Sequence, residues 1–74
     1  MTNKPLKEHD IVVLLHDLPQ QGLEAGDAGT IVHCYDKVDA YEVEFHDVAG
    51  KPRGVFALEG SRLLKLNMNF ALAH

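Results

Sequence analysis

The sequence predicts an all-β domain, in which five short strands close, or nearly close, into a small barrel. Short runs of β-branched and apolar residues recur along the chain with turn residues between them, and one run alternates strictly between apolar and polar residues. A convincing amphipathic helix pattern of any length is missing. With 74 residues the chain is one domain, above the roughly 40 residues below which disulfides or metals are usually needed. Short strands joined by turns typically form small barrels.

The first predicted strand covers residues 11–15, a run that begins with β-branched residues and is too short for a typical helix. Residues 16–27 are predicted to be a long ordered loop. Pro19 cannot donate to a strand ladder, and Gly22 and Gly26 permit backbone angles that other residues resist. We expect apolar loop side chains to cover one end of the core and polar ones to face water: Leu18 and Leu23 inward, Asp17, Gln20 and Gln21 outward.

A β-hairpin is predicted from strands at residues 29–35 and 41–46, joined by a turn at 36–39. If the four turn residues are excluded from pairing, the register follows from the side-chain period of two. The pairs expected on the apolar face are Cys34–Tyr41, Val32–Val43 and Thr30–Phe45. The pairs expected on the more polar outer face are His33–Glu42 and Ile31–Glu44. Because a slip of one residue would bury His33, burial favours this register.

The last two strands are predicted at residues 52–58 and 62–66. A turn at 47–51 precedes the fourth strand, with Gly50 where a left-handed backbone is expected. Proline suits the first position of that strand, since it has no N–H to donate. The link at 59–61 is short enough to be a single helical turn.

Charge and cysteine content limit the classes of function. Seven Lys and Arg stand against eleven Asp and Glu, a net charge of −4. Phosphate-binding surfaces need clustered positive charge, so this balance argues against nucleic acid and favours a basic partner surface. A lone cysteine, Cys34, cannot form an internal disulfide, and residues 1–5 lack the apolar core of a signal peptide. We therefore expect a cytoplasmic protein that does not enter a membrane.

Several motifs resemble a bacterial family of small proteins, domain of unknown function forty-nine twenty-six. The resemblance lies in HDIVVL at 9–14, DLP at 17–19, GL at 22–23, GDAGTIV at 26–32 and YEVEF at 41–45, and it extends over residues 9–66. It implies the fold of an SH3-like barrel and carries no established activity.

The turn at residues 26–31 is also similar to the glycine-bearing turn of the KOW element in ribosomal and transcription proteins. That similarity implies contact with RNA or polymerase, and the cations available for it are Lys51, Arg53 and Arg62. Glu24 and Asp27 stand where an RNA-binding loop would offer Lys or Arg. We favour a geometric role instead, in which Gly26 and Gly29 let the chain reverse into the second strand.

The sequence does not indicate an enzyme, a metal site or a cofactor. Its five histidines and single cysteine lack the close-spaced ligand pairs of structural zinc sites. His33 and Cys34 are neighbours on a strand and so point to opposite faces. Cys34 is expected on the core face, where burial raises the pKa of a thiol. His33 and Glu42 are expected to form a solvent-exposed contact, and a small barrel has no enclosed cavity for a reaction.

An apolar stripe continues past the last predicted strand, with polar or small residues between its members. Its members are Leu64, Leu66, Met68, Phe70 and Leu72. Three outcomes are open: pairing with an exposed edge of a second copy or another protein, folding back over the open end of the barrel, or a frayed terminus. The predicted layout is thus an N-terminal arm (1–8), the barrel (9–66) and a C-terminal extension (67–74).

These observations favour a non-catalytic binding module, which contacts a protein partner or a second copy of itself as an accessory or regulatory subunit. The candidate partner-binding residues lie in the long loop, at the hairpin and in the C-terminal extension: Asp17, Leu18, Pro19, Tyr35, Tyr41, Met68 and Phe70. A KOW-like nucleic-acid contact is the alternative from a different class. An antitoxin-like protein that neutralises a larger partner is the second alternative.

Overall fold

The computed structural model describes residues 6–66. Its five strands are β1 (Ile11–Leu14), β2 (Ala28–Cys34), β3 (Ala40–His46), β4 (Pro52–Glu59) and β5 (Leu63–Lys65). A first 3-10 turn (Pro19–Gln21) lies in the long loop between β1 and β2, and a second 3-10 turn (Gly60–Arg62) joins β4 to β5. Every paired neighbour is antiparallel, and the strand order is β4-β3-β2-β1-β5.

The predicted fold class, a small five-stranded all-β domain with a barrel-like arrangement, is confirmed. The sheet does not close completely. Over the described part of the chain, β4 and β5 are its two edges and are not paired with each other. The strands are short, and β5 follows β4 directly through the second 3-10 turn. Among the described strands, the outer sides of β4 and β5 are therefore unpaired and can accept other segments.

The core is formed by alternate residues of the strands and by one residue of the long loop. In β3 the burial pattern alternates strictly, as its sequence predicts. Leu23 is only 1% exposed, and the partly buried Leu18 packs against the core. The predicted inward orientation of both loop leucines is confirmed. The buried hydrophobic residues are Val12, Leu14, Leu23, Ile31, Tyr41, Val43, Phe45, Leu58 and Leu63.

The β2–β3 hairpin departs from the predicted register after its first two pairs. Cys34 faces Tyr41 and His33 faces Glu42, as predicted, but a bulge then adds one residue to β2. The pairs beyond the bulge are Ile31–Val43, Thr30–Glu44 and Gly29–Phe45. The assignment of Val32 and Thr30 to the core face, and of Ile31 to the outer face, is therefore wrong. A bulge of this kind lets the larger Ile31 enter the core without moving Cys34 outward, and it leaves Val32 40% exposed.

Glycines 26 and 29 have different roles, which corrects a second expectation. Gly26 has a φ of 92° and does supply the predicted change of direction before β2. Gly29 lies within β2 and is buried opposite Phe45. A Cβ at Gly29 would lie 2.7 Å from Cγ1 of Val43, so this position requires glycine for close packing. The left-handed backbone predicted at Gly50 is confirmed by its φ of 85°.

Candidate functional site

The long loop between β1 and β2 is fastened to β4 by one arginine. Nη1 of Arg53 lies 3.3 Å from Oδ2 of Asp27, and Nη2 donates to the carbonyl oxygen of Gly22. The same Asp27 carboxylate accepts a hydrogen bond of 2.9 Å from the N–H of Glu24. Arg53 thus binds a carboxylate and a main-chain carbonyl at once, which its planar guanidinium allows.

The loop is also held together internally. Leu18 and Leu23 exchange two main-chain hydrogen bonds, of 2.9 and 3.1 Å, and form an isolated bridge. Oδ1 of Asp17 accepts a hydrogen bond of 2.9 Å from the N–H of Ala25. Between them, Gly22 ends the first 3-10 turn in a left-handed conformation, with a φ of 73°. The loop is therefore an ordered structure of its own, anchored in the core by Leu23.

A groove of about 460 Å³ lies between this loop and the end of β4. Such a volume falls within the roughly 300–1,000 Å³ of typical ligand sites. One wall comes from the first 3-10 turn, and the other comes from β4 and the second 3-10 turn. The lining residues are Leu18, Pro19, Gln20, Gln21, Ala57, Leu58 and Arg62. The groove thus combines apolar groups with two side-chain amides and one guanidinium.

The edge of β4 presents unpaired main-chain groups beside this groove. The N–H of Gly60 donates to the carbonyl oxygen of Asp39 at 2.9 Å, which makes these two residues a hydrogen-bonded pair. Because such pairs alternate with non-hydrogen-bonded ones in an antiparallel ladder, the main-chain groups of Glu59, Ala57 and Val55 point away from β3. Among residues 6–66, no strand pairs with the other side of β4. Ala57 lines the groove, and its N–H and C=O are therefore not paired by any strand of that part of the chain.

Of the candidate partner-binding residues in the long loop, two line the groove and one does not. Asp17 is exposed and uses its carboxylate within the loop, whereas Leu18 and Pro19 line the groove. Met68 and Phe70 lie outside the described residues. Sequence reasoning placed Gln20 and Gln21 at the surface, correctly, without assigning them to a site. The sequence did not point to Ala57 or Leu58 of the other wall, and it indicated Arg62 only as a cation for nucleic-acid contact.

The two tyrosines of the hairpin have different environments. Tyr35 is half-buried on the outer face, where its hydroxyl donates to Oε2 of Glu42 at 2.7 Å. Its ring meets His33 edge-on, with 5.1 Å between the ring centroids. The hydrogen bond to Glu42 is the main reason that the pKa of Tyr35 lies above its usual value. Tyr41 is only 6% exposed, so its ring belongs to the core.

The hydroxyl of Tyr41 remains hydrogen-bonded despite this burial. It donates to Oδ1 of Asp39 at 2.9 Å. Burial, followed by this hydrogen bond, raises the pKa of Tyr41. The carboxylate of Asp39 also lies against Gly60, where it would overlap the Cβ of any larger residue. Tyr41 therefore connects the core to the start of the second 3-10 turn, through Asp39.

Two of the three cations considered for nucleic-acid contact have acidic partners. Arg53 is paired with Asp27, as described above. Nε of Arg62 lies 3.8 Å from Oε1 of Glu59. Lys51 is exposed in the turn before β4. Since paired cations release fewer counterions when a phosphate approaches, this arrangement is a poor basis for a phosphate-binding surface.

Cys34 packs against the core and has its Sγ 3.7 Å from the carbonyl oxygen of Leu6. Desolvation is the main cause that raises the pKa of its thiol, in agreement with the sequence expectation. Within residues 6–66, three or more His, Cys, Asp or Glu side chains do not come together as a metal-binding group. Across the same residues, the structure contains no helix with the length and apolar character needed to cross a bilayer.

Comparison with known proteins identifies a family. The family model described as "Domain of unknown function (DUF4926)" matches residues 8–65, which include all five strands, the long loop and the groove. No curated protein matches the chain, and no solved structure matches it either. The resemblance seen in the DLP and YEVEF motifs is thereby confirmed. The chain belongs to the DUF4926 family.

Proposed function

We propose that this protein is a non-catalytic interaction module, which binds an extended segment of a partner protein along the edge of β4. The observation that carries the proposal is the main chain of Ala57, which no described strand pairs on its outer side, at a groove whose opposite wall is an ordered loop. An extended segment that lies in the groove can pair with β4 through main-chain hydrogen bonds. Side-chain contacts to the two walls then provide selectivity.

The order of the loop supports this function energetically. Binding sites lose affinity when loops must become ordered on binding. Here the loop is already fixed by Arg53, by the Leu18–Leu23 bridge and by the buried side chain of Leu23. Pro19 further restricts the backbone at the start of the 3-10 turn. The wall that contacts the partner therefore needs little rearrangement.

Electrostatics favours a basic partner. The net charge of −4 steers positively charged surfaces towards the module and repels acidic ones. A role as an accessory subunit, or as an antitoxin-like protein that neutralises a basic partner, is a special form of the same proposal. The paired state of Arg53 and Arg62 supports a protein partner over nucleic acid.

Affinity capture with three versions of the full chain tests the proposal. The wild type, Ala57→Pro and Ala57→Val are used to capture proteins from native lysate of the source organism, with and without nuclease. Proline removes the free N–H at the strand edge, whereas valine keeps it and suits a strand. Circular dichroism and thermal unfolding establish that each version is folded.

The proposal predicts one partner whose recovery is unaffected by nuclease. The wild type and Ala57→Val should recover it equally. Ala57→Pro should recover at least about tenfold less, which corresponds to a loss of about 1.4 kcal/mol in binding free energy. Because proline can also disturb β4, Gln21→Trp is a second variant that fills the groove from its opposite wall. Equal recovery by all versions would contradict the assigned site. Recovery only without nuclease would favour the nucleic-acid alternative.

A further inference from the structure

We propose that the groove beside β4 also receives residues 67–74 of a second copy of this chain, so that two copies exchange their C-terminal segments. This inference rests on the proposed function, because it uses the same edge and the same groove. Because the segment of the second copy occupies the groove, a partner protein has to displace it in order to bind, and self-association thereby regulates partner binding.

The composition of the segment suits addition to a strand edge. Residues 67–74 read NMNFALAH and contain no Asp, Glu, Lys, Arg, Pro or Gly. Apolar and small or polar residues alternate through Met68, Phe70 and Leu72, which is the period of a strand. Segments with this pattern and low charge pair readily with exposed strands. The apolar side chains of the segment match the two leucines and the proline that line the groove.

The position of β5 makes the chain's own segment a poor occupant. β5 begins next to Arg62, which lines the groove, and then runs away from it along β1. The N–H of Leu66 still donates to the carbonyl oxygen of Ile11 at 2.8 Å, so the chain keeps this direction to that point. Three residues of extended chain span about 10 Å. To reach the groove of its own domain, the segment would have to reverse its direction.

The sequence offers no clear site for such a reversal. The alternation that starts at Leu64 continues without interruption to Leu72, and this stretch contains neither Gly nor Pro, the strongest turn residues. An extended segment that continues straight on leaves its own domain. The groove of a second copy can receive it without a turn.

The outer face next to β5 provides apolar surface for the contact between copies. Leu64 is 54% exposed and Leu66 36% exposed, on the same side of the strand. Leu64 pairs with Val13, and Ile11 is the next outward residue of β1. These four side chains form one apolar strip along β1 and β5, up to Leu66. A second copy placed there removes part of this strip from water.

Exchange of the segments in both directions produces a closed dimer. Each copy then contributes one groove and one segment, related by a twofold axis. The same event covers the edge of β4 in both copies. Closure of this kind also prevents further copies from adding at β4.

Sedimentation analysis of the full chain and three variants tests the inference. The wild type is expected to have twice the mass of one chain. Phe70→Asp places a charge on the apolar stripe, and Ala57→Pro blocks the receiving edge, so each is expected to be monomeric. Asn69→Asp adds the same charge on the opposite side of the segment and is the matched control, expected to remain dimeric. Circular dichroism confirms that the monomers are folded.

A mixture of Phe70→Asp and Ala57→Pro gives the decisive result. The first has an intact groove and the second an intact segment, so their mixture is expected to form a heterodimer although neither associates alone. A monomeric wild type, a dimer that survives both substitutions, or a mixture that stays monomeric would each overturn the inference. If the wild type is monomeric while Ala57→Pro still loses its captured partner, the exchange is refuted and the proposed function stands. If Ala57→Pro affects neither mass nor capture, both fail.

Discussion

Replacement of Gly29 by alanine is expected to destabilise the domain, although alanine normally suits a strand better than glycine. A Cβ at this position would lie 2.7 Å from Cγ1 of Val43, 2.9 Å from the carbonyl oxygen of Glu44 and 3.0 Å from Cδ1 of Phe45. Favourable contacts between carbon atoms are about 3.5–4.0 Å long. The added methyl group therefore overlaps three neighbours at once.

Two opposing effects determine the size of the loss. Removing a glycine from a strand interior gains roughly 0.5–1 kcal/mol because the unfolded chain is restricted. Overpacking a filled core costs roughly 1–3 kcal/mol. Val43 and Phe45 are both 0% exposed, and the Glu44 oxygen belongs to the β3 main chain, so none of the three can move into water. The overpacking cost dominates, and we expect a net loss of about 1–2 kcal/mol.

Urea unfolding followed by circular dichroism measures this loss. With a slope of about 1 kcal/mol/M for a small domain, the midpoint should fall by about 1–2 M while the slope stays the same. Thr30→Ala, on the outer face at the next position, is the control and should change stability by less than about 0.5 kcal/mol. A midpoint for Gly29→Ala at or above that of the wild type would show that the space above Gly29 is not filled. Such a result would refute the close packing of Val43, Phe45 and the β3 main chain against Gly29.

Three further predictions concern the loop and the outer face. Leu23→Ala should lower the free energy of unfolding by about 2–5 kcal/mol, because the side chain that anchors the loop in the core is lost. Gln21→Ala, the control, should change it by less than about 0.5 kcal/mol. Similar effects of the two substitutions in urea unfolding would contradict the anchoring role of Leu23. Arg53→Met keeps the apolar stem but removes the hydrogen bonds to the loop, so loop amides should exchange faster with solvent while global stability falls by no more than about 1 kcal/mol; unchanged exchange would show that the arginine does not hold the loop. The pKa of Tyr35 is raised, mainly by its hydrogen bond to Glu42. The contribution of this hydrogen bond to stability is therefore fully present below the unfolded pKa of about 10, and it is lost as the pH rises through the folded pKa. Ultraviolet titration should show a lower pKa for Tyr35 in Glu42→Gln, and an unchanged curve would count against the bond.

Much of the fold could be predicted because burial follows a simple period along each strand. The YEVEF run of β3 could place its apolar side chains on one face in only one way. Leu18 and Leu23 were predicted to turn inward because two leucines in a polar loop need cover from water. The most specific motifs of the family resemblance, DLP and YEVEF, lie in the same loop and in the same strand.

The bulge and the groove could not be predicted, for two different physical reasons. Ile31 and Val32 are neighbouring β-branched residues, so local propensity supports either one as the buried residue. Only packing against Val43 and Phe45 decides between them. The groove joins residues 18–21 to residues far along the chain, and no local pattern indicates that the free edge of β4 meets that loop.

The pairing of β1 with β5 has a consequence for the order of folding. β2, β3 and β4 are joined by short turns, so their contacts form with little loss of chain entropy. The pairs between residues 12–14 and 63–65 close a loop of almost the whole domain, and such distant contacts are slow to form. We expect the three-stranded unit to form first and β5 to join last. Amides of β5 should then exchange through openings that leave β3 protected, which native-state hydrogen exchange can detect. β5, which carries the exposed Leu64, would be the strand released most easily, so the domain can present the edge of β1 without unfolding as a whole.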